Sequence, residues 1–172
     1  MKIRLTDFSE DWTMMYLNEA EVLKKIFGDE ILKFEHYAST SVQGMKAKPV
    51  IDMMCIVKDI KEIDRFNDEM ASLGYDVAGE WGISGRRLFR KGGENRSHHI
   101  HFYQFDHPEI HRHLIFRDYL RAHPMEIMKY SHIKERLAQQ FDSTSEYSTA
   151  KKQFVKEMEQ RALRWQSERK EA

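Results

Sequence analysis

An α+β fold with its helices gathered toward the C-terminus is what this sequence predicts, and three observations predict it. Up to residue 106, helical and strand periodicities alternate; residues 50–57, VIDMMCIV, are apolar on both faces apart from one aspartate; and from Pro108 onward every apolar pattern has the helical period.

Taken in order, Trp12, Met15, Tyr16, Ala20, Leu23, Ile26 and Phe27 recur at helical spacing after a cap candidate, Ser9, and Gly28 supplies a stop, so a first amphipathic helix is expected. ILKFEHY, residues 31–37, reads as a short strand of mixed character, and residues 50–57 read as a central strand covered on two sides. Ile60, Ile63, Phe66, Met70 and Leu73, closed by Gly74, predict a second amphipathic helix, and YDVAGE follows as a brief strand. RRLFRK and HHIHFYQF flank the turn-forming GGENRS, which predicts an antiparallel hairpin. The total is a sheet of about five strands. Three C-terminal helices complete the chain: one opens at Pro108, the next at Pro124, and the last carries Tyr147, Phe154, Met158 and Trp165 on one stripe.

A length of 172 residues fits a single domain, read here as an α/β core over 1–106 and a helical part over 107–172. Lys plus Arg and Asp plus Glu both number 28, so no global field draws in a polyanion, and nucleic acid is not an expected partner. The one cysteine, Cys55, lies in the most apolar run and has no partner for an internal disulfide. The N-terminal stretch has no apolar signal core, and no segment approaches the ~20 apolar residues of a membrane span. A cytoplasmic protein without membrane attachment is therefore expected.

The chemistry concentrates in EHYASTSVQGMKAKPVIDM. Ser39, Thr40 and Ser41 offer hydroxyls and backbone N–H groups, Gly44 lets a backbone come close to a ligand, and Lys46 and Lys48 offer charge, which together are the parts of a phosphate cradle. A polar connection whose hydroxyls satisfy their own turn is the alternative. Asp52 lies inside an apolar strand and requires a partner, either a metal ion facing phosphates or the N–H groups of the preceding loop. His99 and His101 alternate on one face of their strand, where two imidazoles project side by side toward a metal, a phosphate or solvent. Glu80, Arg86 and Arg87 precede them in neighbouring segments. A zinc site of the familiar kinds is not expected, because neither thiolate ligands nor H-E-x-x-H spacing is present.

In their order, EHYASTSVQGMKAKPVIDM, GISGRRLFRKG, HHIHF and HRHLIFRDYLRAHP resemble the GrpB family of bacterial proteins, and the resemblance covers nearly the whole chain. That family is assigned to the nucleotidyltransferase fold, its activity is not established, and in some bacteria it occurs fused to dephospho-CoA kinase. The resemblance implies a nucleotidyltransferase-like core with a mixed sheet. It matches Ser39 to the serine that receives a nucleotide's phosphates and Asp52 to the first Mg²⁺-binding carboxylate. Two departures stand out: Ala38 occupies the position of a family glycine, and Met53 and Met54 stand where active nucleotidyltransferases carry a second carboxylate. Glu35, Glu80 or the histidines are the candidates to complete a metal site.

The expectation is a protein that binds a nucleotide or another phosphate-bearing small molecule, with metal-dependent nucleotidyl or phosphoryl transfer as candidate chemistry. Asp52, His99 and His101 would be catalytic. Ser39, Thr40, Ser41, Gly44, Lys46, Lys48, Arg86 and Arg87 would bind phosphate, and Asp52, Glu35 and Glu80 would hold Mg²⁺ or Mn²⁺. The alternative is an inactive nucleotidyltransferase-fold module that binds a protein partner or assists folding.

Overall fold

The computed structural model describes residues 4–171. Its elements run α1 (Asp11–Phe27), β1 (Ile31–Tyr37), β2 (Ile51–Val57), α2 (Asn67–Ser72), β3 (Asp76–Gly79), β4 (Arg86–Lys91), β5 (His98–Gln104), α3 (Pro108–Ala122), α4 (Pro124–Gln140) and α5 (Thr144–Glu171). They form two compact units. One comprises Glu10–Tyr37 and Val50–Ile110; the other holds the N-terminal stretch through Ser9, the loop Ala38–Pro49 and the chain from His111. Beyond the C-terminal helices expected from residue 107, the helical unit thus takes in the hydroxyl-bearing loop.

The first unit is a five-stranded mixed sheet in the order β1-β2-β5-β4-β3. Only the pair β2 and β5 is parallel. Side chains alternate between faces along each strand, and one face presents Met53, Cys55, Val57, Phe89, Ile100 and Phe102 to Leu23 and Phe27 of α1 and to Ile63, Met70 and Tyr75. Phe102 lies at the centre, its ring 4.8 Å from Phe27 and 5.4 Å from Phe89. Fully burying one such side chain contributes about 1.5–3 kcal/mol, so this layer fixes the register of β2 against β5.

Residues 60–73 depart from the expected helix. Ile60–Phe66 forms a 3-10 helix and only Asn67–Ser72 is α-helical, while Leu73 is exposed. The first three apolar positions, 60, 63 and 66, are spaced by three, which is the period of the 3-10 form. The cap position of α1 is Glu10, whose side chain makes no capping hydrogen bond. In the turn between β4 and β5, Gly92 has φ 104°, and a Cβ there would lie 2.3 Å from the Asn95 carbonyl oxygen, so glycine is required.

In the helical unit, Val42 and Met45 of the loop pack with Tyr119, Leu120, Ile127, Tyr130, Met158 and Ala162. The loop is also held by its backbone. Arg121 donates from Nε and Nη2 to the Ser41 carbonyl at 3.1 and 2.8 Å, and the Lys46 N–H donates to the Ser131 hydroxyl at 3.1 Å. Thr6 bridges Ala47 in antiparallel fashion.

Candidate metal centre

On the sheet face opposite the α1 layer, the parallel register sets Asp52 beside His99 and Met54 beside His101. Period-two alternation therefore brings one carboxylate and two imidazoles together. Asp52 Oδ1 lies 3.1 Å from His101 Nε2 and 3.7 Å from His99 Nδ1, and one donor atom from each of the three residues falls within a 4.8 Å span. Donors bound at ~2.1 Å and separated by 90–110° would be about 3.0–3.4 Å apart, so the two edges at Asp52 are close to coordination distances.

Burial sets the charge state of two groups at this site. Burial holds His99 below the usual histidine pKa, against the opposing pull of Asp52 and with help from His101, Arg96 and Arg90, so its imidazole is neutral at pH 7. Tyr37, which pairs with Asp52 across β1, is pushed well above the ordinary tyrosine range by burial and then by the Asp52 charge, and stays protonated.

Arg86 anchors the other side of His101. Its Nη2 donates to the Trp81 carbonyl at 2.7 Å and its Nε to that of Glu80 at 3.2 Å, while Nη1 faces His101 Nδ1 at 3.4 Å. A guanidinium only donates, so Nδ1 accepts and Nε2 carries the proton that reaches Asp52. Ligation of a cation at Nε2 would require the other tautomer, with the proton on Nδ1 and Arg86 Nη1 turned away from it.

The remaining expected residues separate into groups. Glu35 shares the Asp52 face but pairs with Lys33 at 2.9 Å, and Glu80 accepts from the Gly85 N–H at 2.7 Å; neither belongs to the three-residue donor group. Arg87 does not line the same wall as Arg86. Adjacent strand residues point to opposite faces, and Arg87 pairs with Asp64 through Nε at 2.6 Å.

In the helical unit, the Ser41 hydroxyl donates to the Ala38 carbonyl at 2.5 Å, Thr40 is buried, and Gly44 has φ 87°. Lys46 is ion-paired with Asp7 and Glu135, each at 3.0 Å. Lys48 lies over the Tyr147 ring at 5.3 Å. The Ser39 hydroxyl meets a residue that sequence reasoning missed: Lys134 Nζ at 2.5 Å. Its signal was present, because Ile127, Tyr130, Ser131 and Lys134 form the buried stripe of α4 at spacings of three, one and three. A lysine on that stripe is a buried lysine.

Among the described residues, no helix is long and apolar enough to cross a membrane. The chain matches the family described as GrpB protein over residues 2–161. It is 43% identical over 172 residues to the UPF0157 protein YqkA of Bacillus subtilis, covering 99% of this chain but 50% of YqkA, so it spans half the length of that relative. It is 29% identical over 163 residues to the glutamate-rich protein GrpB of Alkalihalophilus pseudofirmus, covering 91% of this chain and 94% of that one. The crystal structure of the conserved protein GrpB from Enterococcus faecalis superposes with a TM-score of 0.90 at 43% identity, covering 94% of this chain and 98% of that one. With the family matched over nearly its whole length and the five-stranded mixed sheet and C-terminal helices in place, the chain belongs to the GrpB family.

Proposed function

We propose that this protein binds a divalent metal ion through Asp52, His99 and His101, and with it a nucleotide or similar phosphate-bearing small molecule, as a metal-dependent phosphoryl- or nucleotidyl-transfer protein. The observation that carries the reading is the convergence of three donor atoms within 4.8 Å from two parallel strands. Two imidazole nitrogens and one carboxylate suit Mn²⁺, Zn²⁺ or Fe²⁺ better than Mg²⁺, which prefers oxygen ligands. The expected Mg²⁺ is thus the weaker choice and Mn²⁺ the stronger.

A bound ion would supply Lewis acidity toward phosphate oxygens. The residues do the rest. His99 is already deprotonated. Asp52 would give up its hydrogen bond from His101 to hold the ion, and Arg86, pinned by two carbonyls, presents fixed positive charge beside the site.

One observation favours a second reading, a metal-free accessory module: the chain from Arg86 through His101 to Asp52 is complete as hydrogen bonds without an ion. Calorimetric titration of the chelator-stripped protein with Mn²⁺ and Zn²⁺ separates the two. The metal reading predicts one site per chain, with affinity reduced at least ~10-fold in Asp52→Asn. Absence of binding by the unaltered protein would leave the accessory module.

A further inference from the structure

Lys134 is the most unusual charged residue of the helical unit. It is 2% exposed, and its partners are the Ser39 hydroxyl at 2.5 Å, the Lys46 carbonyl at 2.9 Å and the face of Tyr130 at 4.1 Å. None of them is a carboxylate. A buried ammonium without a counter-ion is unfavourable by several kcal/mol, and the neighbourhood worsens it, since Lys48 and Lys151 both repel its charge. These two lysines lie over one ring, Tyr147, at 5.3 and 5.4 Å. The nearby carboxylates Asp7 and Glu135 are taken up by Lys46.

Three amines thus share one neighbourhood, and the central one, which donates to the half-buried Ser39 hydroxyl, lacks the negative charge that would balance it. A dianionic phosphate group supplies that charge together with acceptor oxygens for both the ammonium and the serine O–H. We propose that Lys134 and Ser39, flanked by Lys48 and Lys151, form an oxyanion subsite that receives the phosphate group of a small molecule. The inference deepens the phosphate part of the proposed function and rests on it, but not on the metal.

Protonation follows from the same geometry. Burial first, then Lys151 and Lys48, holds the free Lys134 amine well below the ordinary lysine value of 10.5, and Tyr130 and Tyr147 remain neutral, the latter pushed up to about 12. A bound anion raises the Lys134 value again, so binding takes up a proton in the window between the two, and affinity falls as pH rises through it.

The test is calorimetric titration with inorganic pyrophosphate in the presence of EDTA, at two pH values and in two buffers of different ionisation enthalpy. The unaltered protein is expected to bind, with a heat that varies with the buffer and an affinity lower at the higher pH. Lys134→Met is expected to bind at least tenfold more weakly, with no buffer dependence. Lys48→Gln and Lys151→Gln, on the periphery, are expected to weaken binding at least threefold each, so the proposal stays testable if Lys134→Met does not fold. No binding by the unaltered protein, or equal binding by the variants, overturns the subsite. Because EDTA removes metal, this failure is distinguishable from failure at Asp52.

Discussion

Ala38 has φ 62° and ψ −164°, a conformation that glycine enters freely and an L-residue only at a cost of about 1–3 kcal/mol. The strain sits immediately before Ser39. Replacing Ala38 by glycine is therefore expected to stabilise the fold, after the entropic cost of glycine, by about 1 kcal/mol, a rise of roughly 2–4 °C in Tm for a chain of this length; differential scanning calorimetry reads it directly, and an unchanged or lower Tm would count against the strain. In the sequence this alanine was legible as a departure from the family pattern, where a glycine is expected. That it also forces a left-handed backbone depends on how the loop leaves β1, which no residue identity reveals. Lys134 carries the complementary case. Its folded-state value lies below its unfolded one, so the unfolded chain binds the extra proton and stability is diminished at all pH values below about 10.5. Lys134→Met should accordingly melt at or above the temperature of the unaltered protein at pH 7.

At the scale of elements, β5 is the strand where alternation decides most. His99 and His101 were placed on one face by period two, and the structure puts them there; the same rule puts His98 among the α1 residues, 3.3 Å from the Met15 carbonyl. His98 is held below the usual histidine range by burial first, with Glu19 opposing, and His99 is lowered as well. Both folded-state values lie below the unfolded one of about 6.5, so stability is intact above that pH and is lost as pH falls below it. Urea midpoints measured between pH 7 and 5 should drop, and His98→Gln should flatten the decline. The partner that Asp52 required was not legible, because nothing local links residue 52 to residue 101; the parallel pairing of β2 with β5 brings them together diagonally on one face. Arg86 and Arg87, by contrast, could have been separated from the sequence, since neighbours in a strand cannot share a face. The 3-10 segment at Ile60–Phe66 was also present in the spacing and was read instead as part of a longer α-helix.

Over the whole molecule, 28 basic and 28 acidic side chains balance, so recognition depends on local groupings rather than a net field. The architecture was largely legible, because apolar periodicity and the prolines at 108 and 124 set strand and helix order without reference to any site. The grouping into compact units was not, since it assigns Ala38–Pro49 with residues more than 60 positions away. The metal centre proposed in the sheet unit is tested most directly by mass action. A metal at ~100 times its dissociation constant should stabilise the fold by about 2.7 kcal/mol. The decisive measurement is the thermal midpoint of the chelator-stripped protein with and without Mn²⁺, Zn²⁺ and Mg²⁺, in the unaltered chain and in Asp52→Asn. A rise with Mn²⁺ or Zn²⁺, smaller with Mg²⁺ and abolished in the variant, is the predicted result; equal midpoints with and without every metal, or a rise that survives Asp52→Asn, would contradict it.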